Sequence, residues 1–181
     1  NEPPPVAAKP VKPPPATYPD LPCARCHQAL TARQFRHSIF KDGACGDCHL
    51  PSEQQGPCTG PVGKGWKLRQ PDPVLCLSCH EGLETDSKLH KVIGMRGCSA
   101  CHDPHSGDVK KLLRLPVAQL CSQCHLRKDA NLHSHEVVEQ GKCTACHDPH
   151  SGLQEPLLKD EPAALCAECH EAKKLLPDPV Q

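Results

Sequence analysis

No apolar run along this chain approaches the length of a membrane span, and the elements that its apolar and polar positions predict are short. Over residues 1–22, nine positions are proline, which excludes helix and sheet and predicts an extended, polyproline-like arm. Such an arm acts either as a tether or as a segment docked on a partner. Glycine and proline punctuate residues 51–69, PSEQQGPCTGPVGKGWKLR, which read as a loop. A short helix is expected over Cys98 to His102, ending at Asp103 because Pro104 disfavours the helical conformation in the residue before it.

Composition sharpens this picture. The chain has 181 residues, a length suited to one domain, but only four aromatic side chains: Tyr18, Phe35, Phe40 and Trp66. Hydrophobic residues make up 37%, and that figure includes 15 cysteines, so the remaining apolar share is far below that of an ordinary globular domain. A conventional side-chain core is out of reach, and something other than side chains must fill the interior. Twenty-one basic and 21 acidic residues balance to a formal charge of zero, without the basic field that nucleic-acid binding needs. The sequence starts at Asn1 with no initiator methionine, the pattern of an exported protein whose leader has been removed.

The cysteines supply the missing material. Fourteen of them form seven C-x-x-C pairs, each followed at once by histidine: Cys23/Cys26/His27, Cys45/Cys48/His49, Cys76/Cys79/His80, Cys98/Cys101/His102, Cys121/Cys124/His125, Cys143/Cys146/His147 and Cys166/Cys169/His170. Zinc sites, redox dithiols and disulfides all use paired thiols, but none requires a histidine after every pair. Covalent haem attachment does: two thiols add to the two vinyl groups of one porphyrin, and the next histidine is held under the iron as proximal ligand. Seven haem c groups are expected. They leave too little chain to build a core around each, so the macrocycles themselves form the core, pressed against leucine, valine and the cysteine thioethers, and folding depends on their attachment. Attachment of this kind takes place outside the cytoplasm, which predicts a periplasmic or extracellular location.

The motifs repeat in pairs. From Cys76 to Cys121 is 45 residues and from Cys121 to Cys166 is again 45, whereas from Cys23 to Cys76 is 53, the same unit with eight extra residues within 51–69. His27 to His37, His80 to His90 and His125 to His135 each enclose nine residues, and seven more lead to Cys45, Cys98 and Cys143. The expected organisation is a Pro-rich arm over 1–22, a haem domain over 23–171 and a tail over 172–181. Within the domain, repeats cover 23–52, 76–107 and 121–152, with a half-repeat at 166–170. DPHSG follows the second motif in the later two repeats, where the first has Leu50-Pro51-Ser52.

This pattern resembles the doubled-CXXCH family of multihaem c-type cytochromes, over Leu21 to about Glu171. The resemblance implies six-coordinate haems with histidine on both sides of iron, a mostly irregular backbone with short helices around a stacked haem chain, little or no β-sheet, and electron transfer. It is also similar, less specifically, to multihaem cytochromes that polymerise into extracellular filaments, where one subunit lends a histidine to its neighbour. The first repeat lacks the D-P-H segment, and Val180 stands where the half-repeat would place a histidine, so the family's ligand set is incomplete.

Six histidines remain for the distal faces of seven irons: His37, His90, His105, His133, His135 and His150. All but His133 recur at repeat-equivalent positions, which a solvated histidine has no reason to do. His105 follows His102 by three residues, which span roughly 10 Å at most, too little to round a macrocycle, so His105 is expected to serve a different haem. His90 lies ten residues from His80 and twelve from His102, within reach of either haem of its own doublet. In an extended HSH segment His133 faces away from His135 and either serves another haem or is solvated. For the remaining iron the candidates are an open position, Met95, a lysine, the N-terminal amine or a histidine from another copy. Cys58 is left over, either a spare thiol, an intermolecular disulfide partner or an iron ligand.

The sequence therefore predicts an electron-transfer protein rather than an enzyme, passing electrons by outer-sphere hopping to other redox proteins or to extracellular acceptors. It acts as a soluble carrier or as a homopolymer, with no nucleic-acid partner and no transmembrane segment. The rival reading is a haem reductase with one five-coordinate iron.

Overall fold

The computed structural model describes residues 27–30, 32–39, 45–51, 66–83, 89–125, 135–153 and 156–171. Cys23, Cys26, Cys58, His133, the proline arm, most of the 51–69 loop and the tail lie outside them. The described chain is mostly coil, with five short α-helices: α1 (Val74–Leu77), α2 (Lys91–Arg96), α3 (Val117–Ser122), α4 (Glu136–Glu139) and α5 (Pro162–Ala167). Two small antiparallel ladders pair β1 (Phe35–Arg36) with β4 (Ser106–Gly107) and β2 (His49–Pro51) with β3 (Trp66–Leu68). This is the irregular, nearly sheet-free class expected. No helix among the described residues is long and apolar enough to cross a membrane. The chain divides into two compact units, Asn1–Glu84 with Met95–Pro116, and Thr85–Gly94 with Val117–Gln181.

The haem motifs account for most of the helical turns, and they come in two forms. Cys76, Cys121 and Cys166, the first cysteines of the first motif in each doublet, lie on α1, α3 and α5. Cys45, Cys98 and Cys143, which begin the second motif, open 3-10 turns over Cys45–Asp47, Cys98–Ala100 and Cys143–Ala145. The helix expected over Cys98 to His102 is thus a tighter and shorter turn than the sequence pattern indicated. In either form the histidine N–H bonds to the carbonyl of the first cysteine, at 2.9 Å for His80, 3.1 Å for His102, 3.0 Å for His125, 3.1 Å for His147 and 2.9 Å for His170. That single helical turn carries the residues at i, i+3 and i+4 to one face, so two thiols and one imidazole are presented together. The closing motif shows the same turn a second way, with Cys169 N–H donating to Cys166 O at 3.3 Å.

Each second motif is braced from behind by a returning strand or loop. Arg69 N–H donates to Cys48 O at 2.9 Å, Arg114 N–H to Cys101 O at 2.9 Å and Lys159 N–H to Cys146 O at 3.0 Å. The same three side chains reach the carbonyl one residue past the first cysteine: Arg69 Nε to Gly46 O at 2.6 Å, Arg114 Nε to Ser99 O at 2.7 Å, and Lys159 Nζ to Thr144 O. A cation at the carbonyl end of a short turn satisfies acceptors that the turn itself leaves open. The eight extra residues of the first repeat fall between His49 and Leu68, a span that the equivalents His102 to Leu113 and His147 to Leu158 cross in fewer residues.

The motif cysteines differ in exposure. Cys79, Cys124, Cys166 and Cys169 are exposed. Cys45, Cys48, Cys98, Cys101, Cys143 and Cys146, all in second motifs, are half-buried. Cys76 and Cys121, on α1 and α3, are half-buried as well. In the closing half-repeat Cys166 and Cys169 are both exposed, while Leu165, which precedes them, is buried.

Side chains alone bury little. Among the described residues Leu165 is the one buried hydrophobic side chain, at 9% exposure, and Ser106 the one buried polar side chain, at 1%. Ser106 Oγ donates to Leu30 O at 2.7 Å where β4 passes the Gln28–Leu30 turn. Gly94, in the interior of α2, has no atom within 4 Å of the Cβ that alanine would add and no positive φ. Replacing it with alanine is expected to raise stability by about 0.5–1 kcal/mol, read as a higher thermal midpoint.

Candidate haem-binding site

The DPHSG segments explain their own composition. Asp103 Oδ1 accepts the backbone N–H of His105 at 3.0 Å and lies 3.3 Å from His105 Nδ1; Asp148 Oδ1 accepts the N–H of His150 at 2.8 Å and lies 3.5 Å from its Nδ1. The aspartate turns the chain and holds the ring by one nitrogen, leaving Nε2 for another partner. Burial pushes the Asp103 carboxyl up, but the His105 backbone N–H and ring outweigh it and hold the group below its usual range. Downstream the chain folds back, with Asp103 N–H donating to Leu112 O at 2.8 Å and Asp148 N–H to Leu157 O at 2.9 Å. That return brings Lys111 O to 2.8 Å from His102 Nδ1 and Pro156 O to 2.9 Å from His147 Nδ1. Because a carbonyl only accepts, Nδ1 carries the proton in both rings and Nε2 keeps its lone pair, the tautomer a metal ligand needs.

Backbone pairing sets the DPH histidines beside the mid-repeat ones. His37 N–H donates to His105 O at 3.1 Å at the end of the β1–β4 ladder, and His90 N–H donates to His150 O at 2.8 Å beside the Leu89–Ser151 bridge. In each case a histidine from one repeat lies next to the DPH histidine of the following repeat.

Among the described residues, four pairs of imidazoles then face each other. His37 and His80 have ring centroids 5.9 Å apart, His49 and His105 6.1 Å, His90 and His125 5.9 Å, and His135 and His170 5.9 Å. Two imidazoles binding one metal ion from opposite sides at ~2.0 Å each stand with centroids roughly 6 Å apart. The residues therefore fit an iron between each pair. In all four, one ring belongs to a CXXCH motif and the other is one of the histidines outside them. The planes are nearly parallel for His49/His105 (7°) and His90/His125 (23°) and nearly perpendicular for His37/His80 (79°) and His135/His170 (86°). Burial, followed by neighbouring imidazoles, lowers the pKa of His37 and His49, so both favour the neutral form that coordinates metal.

His105 faces His49 and not His102, three residues away. His90 faces neither haem histidine of its own doublet: its bond to His150 O, and a second from Nδ1 to Pro149 O at 3.1 Å, turn it toward His125 of the next. The partners lie 43 residues apart for His37/His80 and 35 for the other two forward pairs, and the difference is the eight-residue insertion. Spacing alone left either haem of its own doublet within reach of His90; cross-repeat backbone pairing sets the ring beside His125 instead.

Comparison with known protein families gives the same periodicity. The family described as the doubled CXXCH motif matches residues 37–85, 90–130 and 135–175, well over half of the chain. The chain belongs to this family. Members of the doubled-CXXCH family are multihaem c-type cytochromes, which bind haem covalently through their CXXCH motifs and transfer electrons. Each doubled-CXXCH match opens on one histidine of a facing pair and contains the other: His37 with His80, His90 with His125, His135 with His170. The third match also takes in Cys166 and Cys169, so the exposed half-repeat falls within the family pattern. No curated protein matches the chain.

The residues that motif reading missed are those supporting this family's ligands. Asp103 and Asp148 hold His105 and His150, and Arg69, Arg114 and Lys159 hold the turns of the second motifs. The basic trio lies at 45-residue intervals and was open to detection by the same period that revealed the motifs.

Proposed function

We propose that the chain carries seven haem c groups, mostly with histidine on both sides of iron, and conducts electrons along them as a periplasmic or extracellular carrier or as a subunit of an extracellular cytochrome filament. The observation that carries this reading is the set of four imidazole pairs at 5.9–6.1 Å, each joining a CXXCH histidine to one outside the motifs. On this reading His37, His90, His105 and His135 are distal ligands to the haems of His80, His125, His49 and His170, His150 is a ligand to another, and His133 either serves a further haem or is solvated. On the same reading the haem of His170 is attached through Cys166 and Cys169. When bound, haem supplies a one-electron ferric/ferrous couple. The protein's part is to hold both axial imidazoles in place through either oxidation state, which keeps reorganisation small. Histidine in place of methionine favours low potentials, and Met95 is the one methionine in the chain.

At most six histidines outside the motifs are shared among seven motifs, so at least one iron takes a sixth ligand from elsewhere or stays open. Inter-subunit histidine ligation in a homopolymer is one source of that ligand. A reductase with a five-coordinate iron is the rival. Mass spectrometry of the purified protein is expected to give the mass of the chain plus seven haems, and low-temperature EPR mostly low-spin ferric signals. A mass with fewer haems overturns the count, and a majority of high-spin iron overturns the paired-histidine assignment. Monodisperse particles by electron microscopy at every concentration exclude the filament.

A further inference from the structure

The first unit holds one carboxylate that the repeat does not require. Asp72 Oδ1 accepts the Cys98 N–H at 2.7 Å and Oδ2 the Ser99 N–H at 2.9 Å, closing the N-terminal end of the Cys98–Ala100 turn. On its other side Cys76 Sγ lies 3.8 Å from Oδ1, and the Asp72 carboxylate, the Cys76 sulfur and the Cys98 sulfur all fall within 4.8 Å of one another. Two haem motifs thus meet at this side chain, Cys76/Cys79 and Cys98/Cys101. Gly97 makes the approach possible: with φ at 73° it has no Cβ, and one built there would lie 2.5 Å from the carboxylate oxygens.

The position one repeat later is Val117, and the next is Pro162. The second unit builds the equivalent pair of motifs, Cys121 on α3 and the Cys143–Ala145 turn, with no carboxylate at that position. Asp72 is therefore not a condition of folding the doublet. Burial works against its charge, but hydrogen bonds from Ser99 and Cys98 outweigh burial and hold the carboxyl below its usual range.

We propose that Asp72 is a redox-tuning residue shared by two haems: clamped against the attachment sulfurs of Cys76 and Cys98, its negative charge holds both haems at lower potential than their counterparts at Cys121/Cys124 and Cys143/Cys146. The reason is electrostatic. A fixed anion beside a macrocycle stabilises the ferric state over the ferrous one, most strongly where water does not screen it. The consequence is a step in potential between the two equivalent doublets, which gives the array a direction.

The proposal rests on the haem reading above, and its test separates the two. Wild type, Asp72→Asn and Val117→Asp are first weighed by mass spectrometry and then titrated spectroelectrochemically. Asparagine keeps the side-chain shape and one acceptor but removes the charge. With equal haem content, two haem equivalents are expected to move to higher potential in Asp72→Asn, and two to lower potential in Val117→Asp. Titration curves that superimpose on wild type overturn the proposal while leaving the haem reading intact. Loss of a haem in Asp72→Asn assigns the carboxylate to attachment instead, and overturns the tuning role if Val117→Asp is also unshifted. A wild-type protein without covalent haem overturns the underlying reading.

Discussion

Replacing His90 with alanine is expected to create one high-spin ferric haem, and that haem is the one attached at Cys121/Cys124. His90 follows His80 by ten residues and precedes His102 by twelve, yet its ring faces His125 at 5.9 Å, with planes 23° apart. Two bonds to the 149–150 backbone hold it there, His90 N–H to His150 O at 2.8 Å and Nδ1 to Pro149 O at 3.1 Å. Alanine removes the imidazole and leaves the iron without its sixth ligand from this residue. EPR is expected to gain one haem equivalent of high-spin signal, and the reduced protein one site for carbon monoxide. The assignment is checked in backgrounds that lack one haem. With Cys121 and Cys124 replaced, His90→Ala should add no high-spin iron; with Cys76 and Cys79, or Cys98 and Cys101, replaced, it should still add one. A new high-spin signal that persists without the Cys121/Cys124 haem would falsify the forward pairing.

Gly152→Ala is expected to cost about 1–3 kcal/mol and to disturb the haem of His147, whereas Gly107→Ala at the same place in the other DPHSG segment is expected to be nearly neutral. A Cβ on Gly152 would run into the Leu157 backbone, 2.5 Å from its carbonyl carbon. Leu157 already has a positive φ of 61° and little freedom to retreat. The loop that would be forced open is the one closed by Asp148 N–H to Leu157 O and Leu153 N–H to Leu158 O, at 2.9 and 3.0 Å. It also carries Pro156 O, the acceptor that fixes the His147 ring. At Gly107 the nearest backbone atom is Leu112 Cα at 3.6 Å, an ordinary contact. Thermal melts of the two holoproteins, with the visible spectrum as second readout, check the contrast. Equal destabilisation by both substitutions would show that the glycine serves the motif generally and not the close approach at Leu157.

Much of the site was legible because its chemistry is local. Two thiols and a histidine on one turn need only i, i+3 and i+4, a relation printed in the sequence, and the His-to-Cys hydrogen bonds follow from it. The distinction between His102 and His105 was legible too, since three residues cannot span a macrocycle. The partner of His90 was not, because distance along the chain left two haems within reach and the decision lies with a backbone bond to a residue sixty positions away. Nor was the exposure of Cys166 and Cys169, because identical motifs differ only in what the rest of the chain lays over them. Asp72 was equally hidden. It is an ordinary aspartate between two prolines until the fold sets it against Cys98, 26 residues on.

The missing D-P-H of the first repeat also changes meaning. Leu50-Pro51-Ser52 looked like a gap in its own repeat's ligand set. In the fold, the DPH histidine His105 faces the CXXCH histidine of the preceding repeat, His49, so on the proposed reading the segment serves the unit before it.

What this sequence determines by itself is the set of attachment points, the period that spaces them and the lack of any side-chain core, because thioether chemistry, repeat length and composition are properties of short windows. Only the tertiary structure decides which histidine answers which, which glycine is crowded and which carboxylate lies between two haem motifs. Those depend on backbone hydrogen bonds between distant segments, and a period of 45 residues repeats the pieces without saying how neighbouring copies interlock.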